Sequence, residues 1–600
     1  MANISPYVAH PVTPRDTNSS TDATKITNTC ILGWDDLSYT VTSRGQEPKQ
    51  ILRAVSGRAA PGQLVAIMGP SGSGKTTLLD LLADRISSGS VTGTISINGA
   101  PRDAKSFRLL ASYVSQEDSL LGSFTVLETL RFAARLSVPA SVGAIEREER
   151  VQAAMNDMGL RSCEHTVVGD LFRKGISGGQ KRRLSIAIEL LSKPTILLLD
   201  EPTSGLDASS TYSVMSYIQK LCEHGHTVVC TIHQPSSKVY NMFTSVFLLV
   251  QGETVFFGPP ATLLTHFSAI GHPCPTYSNP AEYYLALINT DFPGHGDVAA
   301  ITAAFASSGA AAAIQTALAQ DRATHFAPLS KSDLKELKPS LWRQFAMLMQ
   351  RNLLENVRNP GIFWVRLVMF FLLSGMAGTM YIDHDHKLQD IELVGAIFGG
   401  PAFTVFLSVS ALPFFIDQRA VFARERANGG LSVFGYTLAN FLAFLPGLAL
   451  LALVATTNIV PPTALTNYAT FFYLLWLQLV VAESFMCLLG VLVPNAIMGI
   501  AVGAAFYGMF MLCEGFMVPR SSIQDYWLWG HYLGFHSYGF AAMVANQFQG
   551  VNTTSAQAIL TRFDFHDVSI ATSASILAGY AVVLQVLFCG VLYFKHTGRR

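Results

Sequence analysis

The chain has 600 residues, enough for several domains of ordinary size. Half of them are hydrophobic, only 14% are charged and the formal net charge is zero. This excludes a disordered chain, a disulfide-rich mini-protein, a collagen-like fibre and a chain drawn to nucleic acid by its net charge.

Charge is unevenly spread: residues 361–600 hold 21 of the 82 charged side chains. The pattern predicts a soluble N-terminal half followed by a membrane-embedded C-terminal half. Residues 1–30 are polar and lack an apolar run, so a flexible tail that starts in the cytosol is expected, without a cleaved signal peptide. The cysteines, at 30, 163, 222, 230, 274, 487, 513 and 589, form no CxxC pair, which argues against a zinc ribbon or a redox motif.

From 31 to 290, short β-branched or aliphatic runs alternate with helix-length segments. Leu64–Met68, Thr195–Leu199 and Thr227–Ile232 are apolar apart from their threonines, as buried parallel strands of an α/β domain are. The first run leads into Gly69-Pro70-Ser71-Gly72-Ser73-Gly74-Lys75-Thr76-Thr77. This is a phosphate-binding loop between a strand and a helix. Small residues let backbone N–H groups face phosphate oxygens, Lys75 adds a point charge, and the Thr76 hydroxyl can ligate Mg²⁺.

Further on, Ser177-Gly178-Gly179-Gln180 opens a helix. Ser177 is either an ordinary N-cap or part of a second anion site, closing over a nucleotide held by another copy. The run Ile196–Leu199 ends in Asp200-Glu201, placing two carboxylates where ligands meet a parallel sheet. Asp200 suits the Mg²⁺ shell, and Glu201 suits polarisation of an attacking water.

With these motifs in place the chain resembles an ATP-binding cassette (ABC) transporter. The resemblance also covers Gln116 in Tyr113-Val-Ser-Gln116, Ser204-Gly-Leu-Asp207, and His233 in Thr231-Ile-His-Gln-Pro-Ser. It implies that Gln116 contacts Mg²⁺ and that His233 holds the γ-phosphate and positions the water. It places adenine stacking near Tyr39 or Val41. Because the nucleotide domain precedes the membrane domain, the chain is similar to the G (White-type) half-transporters. Asn279-Pro-Ala-Glu-Tyr283 and Phe422-Ala-Arg-Glu-Arg426 agree with that subfamily. The expected fold is an α/β P-loop NTPase domain followed by an all-α polytopic membrane domain with six transmembrane helices. ATP and Mg²⁺ are the implied cofactors. The implied partner is a second half-transporter copy, as homodimer or heterodimer. A lipid bilayer and a small apolar or amphipathic substrate complete the set, with no nucleic acid.

Residues 291–340 predict a linker with loose helices, and 341–359 a helix at the membrane surface. Apolar segments near 361–381, 391–416, 437–459, 467–493, 495–518 and 572–594 predict six spans. Arg351, Arg358, Arg419, Arg424, Arg426, Lys595, Arg599 and Arg600 flank one side, and Asp383, Asp385 and Asp390 the other. Both termini are therefore expected in the cytosol, with 519–571 mostly outside; the expected membrane is the plasma membrane. In that outer segment Tyr526–Trp529 suits an interfacial belt or re-entrant element, and Asn552-Thr-Thr is a glycosylation sequon; those at Asn3 and Asn18 would stay unmodified. The outer segment has no cysteine and hence no inter-chain disulfide.

By resemblance, spans 2 and 5 line a substrate cavity with Phe403, Phe406, Ala504, Gly508 and Met511, below an apolar plug of Phe516 and Met517. Glu483 and Glu514 lie within apolar spans and either bind a cationic substrate group or make a structural hydrogen bond. Glu425 is expected in a charge network at the cytosolic elbow. The expected activity is ATP-driven export; the alternative is a membrane-bound ATPase that regulates without net transport.

Overall fold

A computed structural model describes residues 30–42, 47–139, 141–170, 172–291, 293, 295–323, 340–382, 389–463, 465 and 467–598. Asn3, Asn18, Asp383, Asp385, Arg599 and Arg600 lie outside the described residues.

Two sheets build the N-terminal half. The central sheet has six strands in the order Glu253–Gly258, Ser245–Val250, Leu64–Met68, Thr227–Thr231, Ile196–Leu199 and Ala111–Val114. All neighbours are parallel except the first pair. The strand Leu64–Met68, wholly apolar and fully buried, lies between two parallel partners. This is the burial expected where both faces of a sheet are covered. The smaller sheet is antiparallel, with Leu32–Val41 between Lys49–Ala59 and Ser90–Ile97. Trp34 joins the two sheets, its ring 6.0 Å from Phe247 and 6.2 Å from Phe257.

The expected linker is corrected over its first part. Val298–Ala306 and Gly309–Ala323 are helices that bury Ile301, Phe305 and Leu318 against the nucleotide-domain core. Arg58 pairs with Asp321, Nε to Oδ2 at 2.6 Å, and Arg322 pairs with Asp35. Their alanines are small enough to let the helix backbones approach the sheets. Residues 324–339 lie outside the described residues.

Among the described residues of the C-terminal half, five helices are long and apolar enough to cross a bilayer: Pro360–Met380, Asp390–Asn428, Val433–Ile459, Tyr468–Leu492 and Ile570–Lys595. They are spans 1, 2, 3, 4 and 6. Span 2 is longer than expected. A 3₁₀ turn at Leu407–Ala411 leads into helix Leu412–Gly429, so Arg419, Arg424 and Arg426 sit on helix, not in a loop. The expected fifth span is shorter: Ala496–Leu512 has 17 residues. At 1.5 Å per residue it covers about 25 Å, short of a ~30 Å hydrocarbon core. Gly515, at φ +112°, turns the chain after it.

The outer segment is also corrected. Helix Phe535–Phe548 buries 10 of its 14 residues against the membrane bundle. The segment therefore folds back into the protein, although Tyr526, Trp527 and Trp529 remain exposed.

Helix Leu341–Arg358 reverses the usual amphipathic arrangement. Gln344, Arg351, Asn352 and Glu355 are buried, whereas Trp342 and Val357 are exposed. The polar stripe faces the nucleotide domain and the elbow, so the helix is a junction between the two halves. Arg358 grips Glu128 at 2.8 Å, Ser123 hydrogen-bonds Glu355, and Arg351 pairs with Glu425. The charge network expected at Glu425 is therefore present.

Candidate functional site

The phosphate loop sits where Leu64–Met68 meets helix Lys75–Leu82. Gly74 caps that helix in the left-handed region, at φ +98°, a conformation strained for other residues. A Cβ on Gly69 would stand 2.0 Å from the Leu249 carbonyl oxygen. The Lys75 ammonium donates to the carbonyls of Gly69 at 2.9 Å and Pro70 at 2.8 Å, and so folds across the loop. Burial pulls its pKa down, opposed by the nearby charges of Glu201 and Asp200. Ser73 Oγ is buried with no partner among the described residues, a polar atom left for a ligand oxygen. Ser71, Gly72, Thr76 and Thr77 are exposed or half-buried along the same loop.

Asp200 leaves the end of strand Ile196–Leu199 and is almost fully buried. Its Oδ1 accepts from Thr231 Oγ1 at 2.7 Å and from Thr76 Oγ1 at 3.1 Å. A threonine hydroxyl beside a carboxylate is a hard-oxygen donor pair, which fits Mg²⁺. Glu201 follows at φ +42°, rare for a residue with a side chain, its N–H donating to Thr231 Oγ1 at 2.8 Å. Gln116 Nε2 donates to Glu201 Oε2 at 2.9 Å. His233 Nε2 lies 3.3 Å from Ser71 Oγ. The fold thus gathers Thr76, Asp200, Glu201, Gln116 and His233 around one loop, from positions up to 157 residues apart in the chain.

Ser177 and Gln180 form a capping box on helix Gly178–Leu190. Ser177 Oγ accepts from Gln180 N at 3.3 Å, and Gln180 Oε1 accepts from Ser177 N at 2.9 Å. Within one chain Ser177 therefore serves as an N-cap. Gly179 packs tightly, since a Cβ there would lie 2.9 Å from Ser210 Cβ. Asp207 caps the next helix through Ser209 and Ser210.

Tyr39 is corrected as a stacking residue. It is 5% exposed, packed in the smaller sheet's core, and its hydroxyl is 3.1 Å from the Ser88 carbonyl oxygen. Val41 is half-buried.

Two residues escaped the sequence reading. Arg182, 3% exposed, donates to the carbonyls of Ser115 at 2.5 Å and Asp200 at 2.6 Å, and to Asp118 at 3.2 Å. It ties the helix Gly178–Leu190 to the segment that carries Gln116 and to the acidic pair. The only hint was its place in Lys181-Arg182-Arg183. Tyr113 is the second. Its hydroxyl is 2.8 Å from Asp80 Oδ1 and 3.4 Å from Asp200 Oδ2, while its carbonyl accepts from Asn428 Nδ2 at 2.9 Å. Asn428 belongs to the membrane half, so one tyrosine touches both the elbow and an acid of the site.

In the membrane half, Glu483 is bound on both oxygens by Arg366, at 3.1 and 2.8 Å, which favours the structural reading of that acid. Glu514 is buried, and its Oε2 has no partner among the described residues. Phe403, Phe406 and Met517 are exposed; Ala504, Gly508 and Met511 are half-buried. Phe516 is instead packed, its ring stacked 4.4 Å from Phe398. None of these lines the large cavity that lies between the nucleotide domain and spans 3 and 6. Asn552 is exposed, before helix Thr554–Phe563.

Comparison with known proteins shows the family of the chain. The family model "ABC transporter" matches residues 52–204, and "ABC-2 type transporter" matches 343–548 and 233–292. The chain is 34% identical to ABC transporter G family member 11 of Arabidopsis thaliana, over 87% of this chain and 78% of that protein. It is also 34% identical to ABC transporter G family member 1 of Petunia hybrida, over 93% and 91%. The dimeric structure of the bacterial ABC transporter cassette MJ0796 is 26% identical, covering 38% of this chain and 98% of that one, with a TM-score of 0.33.

Proposed function

Because the chain belongs to the G family of ABC transporters, an ATP-hydrolysing membrane protein, we propose that two copies form an exporter of apolar or amphipathic compounds. The supporting observation is the convergence of Thr76, Asp200, Glu201, Gln116 and His233 on one phosphate loop, with Tyr113 linking that cluster to the elbow.

In this reading the loop Gly69–Thr77 cradles the phosphates of ATP, and Ser177, Gly178, Gly179 and Gln180 of a second copy cover the γ-phosphate. Thr76 and Asp200 would hold Mg²⁺, with the Gln116 amide oxygen turning toward it. The ion, when bound, neutralises phosphate charge. Glu201 orients and polarises the attacking water, and His233 holds the γ-phosphate from the loop side. Closure pulls on Tyr113 and Asn428 and so moves the elbow and span 2. All catalytic positions being intact, a homodimer would have two competent sites; a heterodimer with a related chain is equally served.

Exposed Phe403 and Phe406, with Ala504, Gly508 and Met511, would face the partner across a central path, closed outward by Phe516 and Met517. Both termini would lie in the cytosol of a plasma-membrane protein. ATP-dependent uptake of lipid and drug-like compounds into inside-out vesicles tests export. Robust ATPase activity with no uptake across the panel would favour the regulator instead.

A further inference from the structure

The cavity between the nucleotide domain and spans 3 and 6 has a volume of 1510 Å³, above the ~300–1,000 Å³ of ordinary small-molecule sites. Arg85, Glu189 and Asn428 lie on its nucleotide-domain side. Its other side is formed by Phe434 and Leu438 of span 3 with Val582 and Val586 of span 6. These four are 70%, 37%, 60% and 65% exposed, at positions where a bilayer would surround the bundle. The cavity therefore opens sideways to hydrocarbon while its inner end is polar.

Three buried polar atoms on its lining residues have no partner among the described residues: Thr437 Oγ1, Gln585 Oε1 and Arg424 Nε. Thr437 is 6% exposed. It lies four residues into span 3, about 6 Å along the helix axis, the depth of lipid ester and headgroup atoms. Buried polar groups are normally satisfied, so the two unpaired donors, Thr437 Oγ1 and Arg424 Nε, call for acceptors from a ligand, and Gln585 Oε1 calls for a donor. Charge points the same way. The lining carries the guanidinium groups of Arg85, Arg108, Arg424 and Arg426 against the carboxylates of Asp84, Glu189 and Glu425. Glu425 is already held by Arg351, which is not part of the lining. The remaining charge is positive.

We propose that this cavity binds a glycerophospholipid with an anionic headgroup, drawn from the leaflet next to the nucleotide domain. Turning of the Arg424 and Thr437 side chains brings their N–H and hydroxyl to the phosphate, and the acyl chains lie along Leu438, Val582 and Val586. The site is distinct from the substrate path and does not depend on what is exported. Tyr113 and Asn428 also line it, so the lipid braces the contact that joins the elbow to Asp200. Occupancy thereby tightens the use of ATP.

The test uses the full chain in nanodiscs of phosphatidylcholine, alone or mixed with phosphatidylglycerol. Retained lipid is read by native mass spectrometry and ATPase activity by titrating ATP. Phosphatidylglycerol is expected to stay bound preferentially and to lower the half-saturating ATP concentration by about fivefold, the low end for coupled sites. Val586→Trp fills the cavity and should remove both effects. Val583→Trp, on the same helix but outside the cavity and 57% exposed, should keep both. Arg424→Gln removes the headgroup donor without touching the apolar wall, so preference for phosphatidylglycerol over phosphatidylcholine should vanish while some lipid is still retained. Equal retention of the two lipids by the unaltered protein would overturn the proposal. So would undiminished phosphatidylglycerol retention in either Val586→Trp or Arg424→Gln, or a transported compound found in the cavity in place of lipid.

Discussion

Glu201 shows how much a single backbone angle can place. Its φ of +42° turns the side chain from the end of a buried strand toward Gln116, whose amide donates to it at 2.9 Å. Such a conformation costs of order 1–3 kcal/mol, and persists where neighbours over-determine it, as the Thr231 bond to its N–H does here. Glu201→Gln keeps the shape and the hydrogen bond reach but loses the base. ATP hydrolysis should fall about 10²–10⁴-fold with nucleotide binding retained, measured by phosphate release beside equilibrium ATP binding. Glu189 carries a different lesson. Burial raises its pKa above the usual carboxylate range, against the favourable charges of Arg424 and Arg85. The folded state therefore favours the protonated acid more than the unfolded chain does. Its contribution is full below the unfolded value and is lost as pH rises through the carboxylate range toward the folded pKa. Glu189→Gln should gain thermal stability relative to the parent as pH rises from about 4 to about 7, the window above an ordinary glutamate pKa. A gain that shrinks over the same window would contradict that sign.

At the scale of elements, the membrane half is held by a few polar joints inside apolar packing. Arg366 of span 1 and Glu483 of span 4 meet in a bidentate pair, both buried. Neither charge is tolerable alone in this setting. Arg366→Met should destabilise the bundle by about 3–5 kcal/mol, because it strands the carboxylate. Arg366→Met with Glu483→Gln should recover most of that loss, read as thermal unfolding of the detergent-solubilised protein. Equal losses in the single and double variants would show that packing, not the pair, matters there. The helix Leu341–Arg358 uses the same device outside the bilayer, where Arg351–Glu425 and Arg358–Glu128 clamp it between elbow and nucleotide domain.

On the scale of the whole molecule, the Ser177 and Gln180 side chains are engaged in capping their own helix. In the proposed dimer a second copy brings its phosphate loop to this helix. Ser71→Cys in one copy and Ser177→Cys in another should cross-link in the presence of ATP when Glu201→Gln prevents turnover, and not in its absence. Mixed copies, each carrying one of the two cysteines, should give the cross-linked species on a non-reducing gel. Cross-linking that ignores ATP would argue against the composite site.

The phosphate loop and the acidic pair were legible in the chain itself. Strand, loop and helix are contiguous around Gly69–Thr77, and Asp200-Glu201 ends an apolar run, so local order places phosphate ligands without knowledge of the rest. The division into a soluble and an apolar half was equally legible, because solvent choice is written in composition over tens of residues. Distant packing was not. Nothing local marked Tyr113 as the contact between Asn428 and Asp200, or Arg182 as the grip on two loops, since those bonds join segments far apart in sequence. The helices after residue 297 carried too weak a pattern to show that they belong to the nucleotide domain, and the inward fold of Phe535–Phe548 depended on neighbours from other spans. Sequence alone determined which groups exist and which local frame carries them, because backbone geometry and hydrophobicity act over short range. Tertiary structure alone decided which of them meet, because burial and pairing arise only when remote elements share one core.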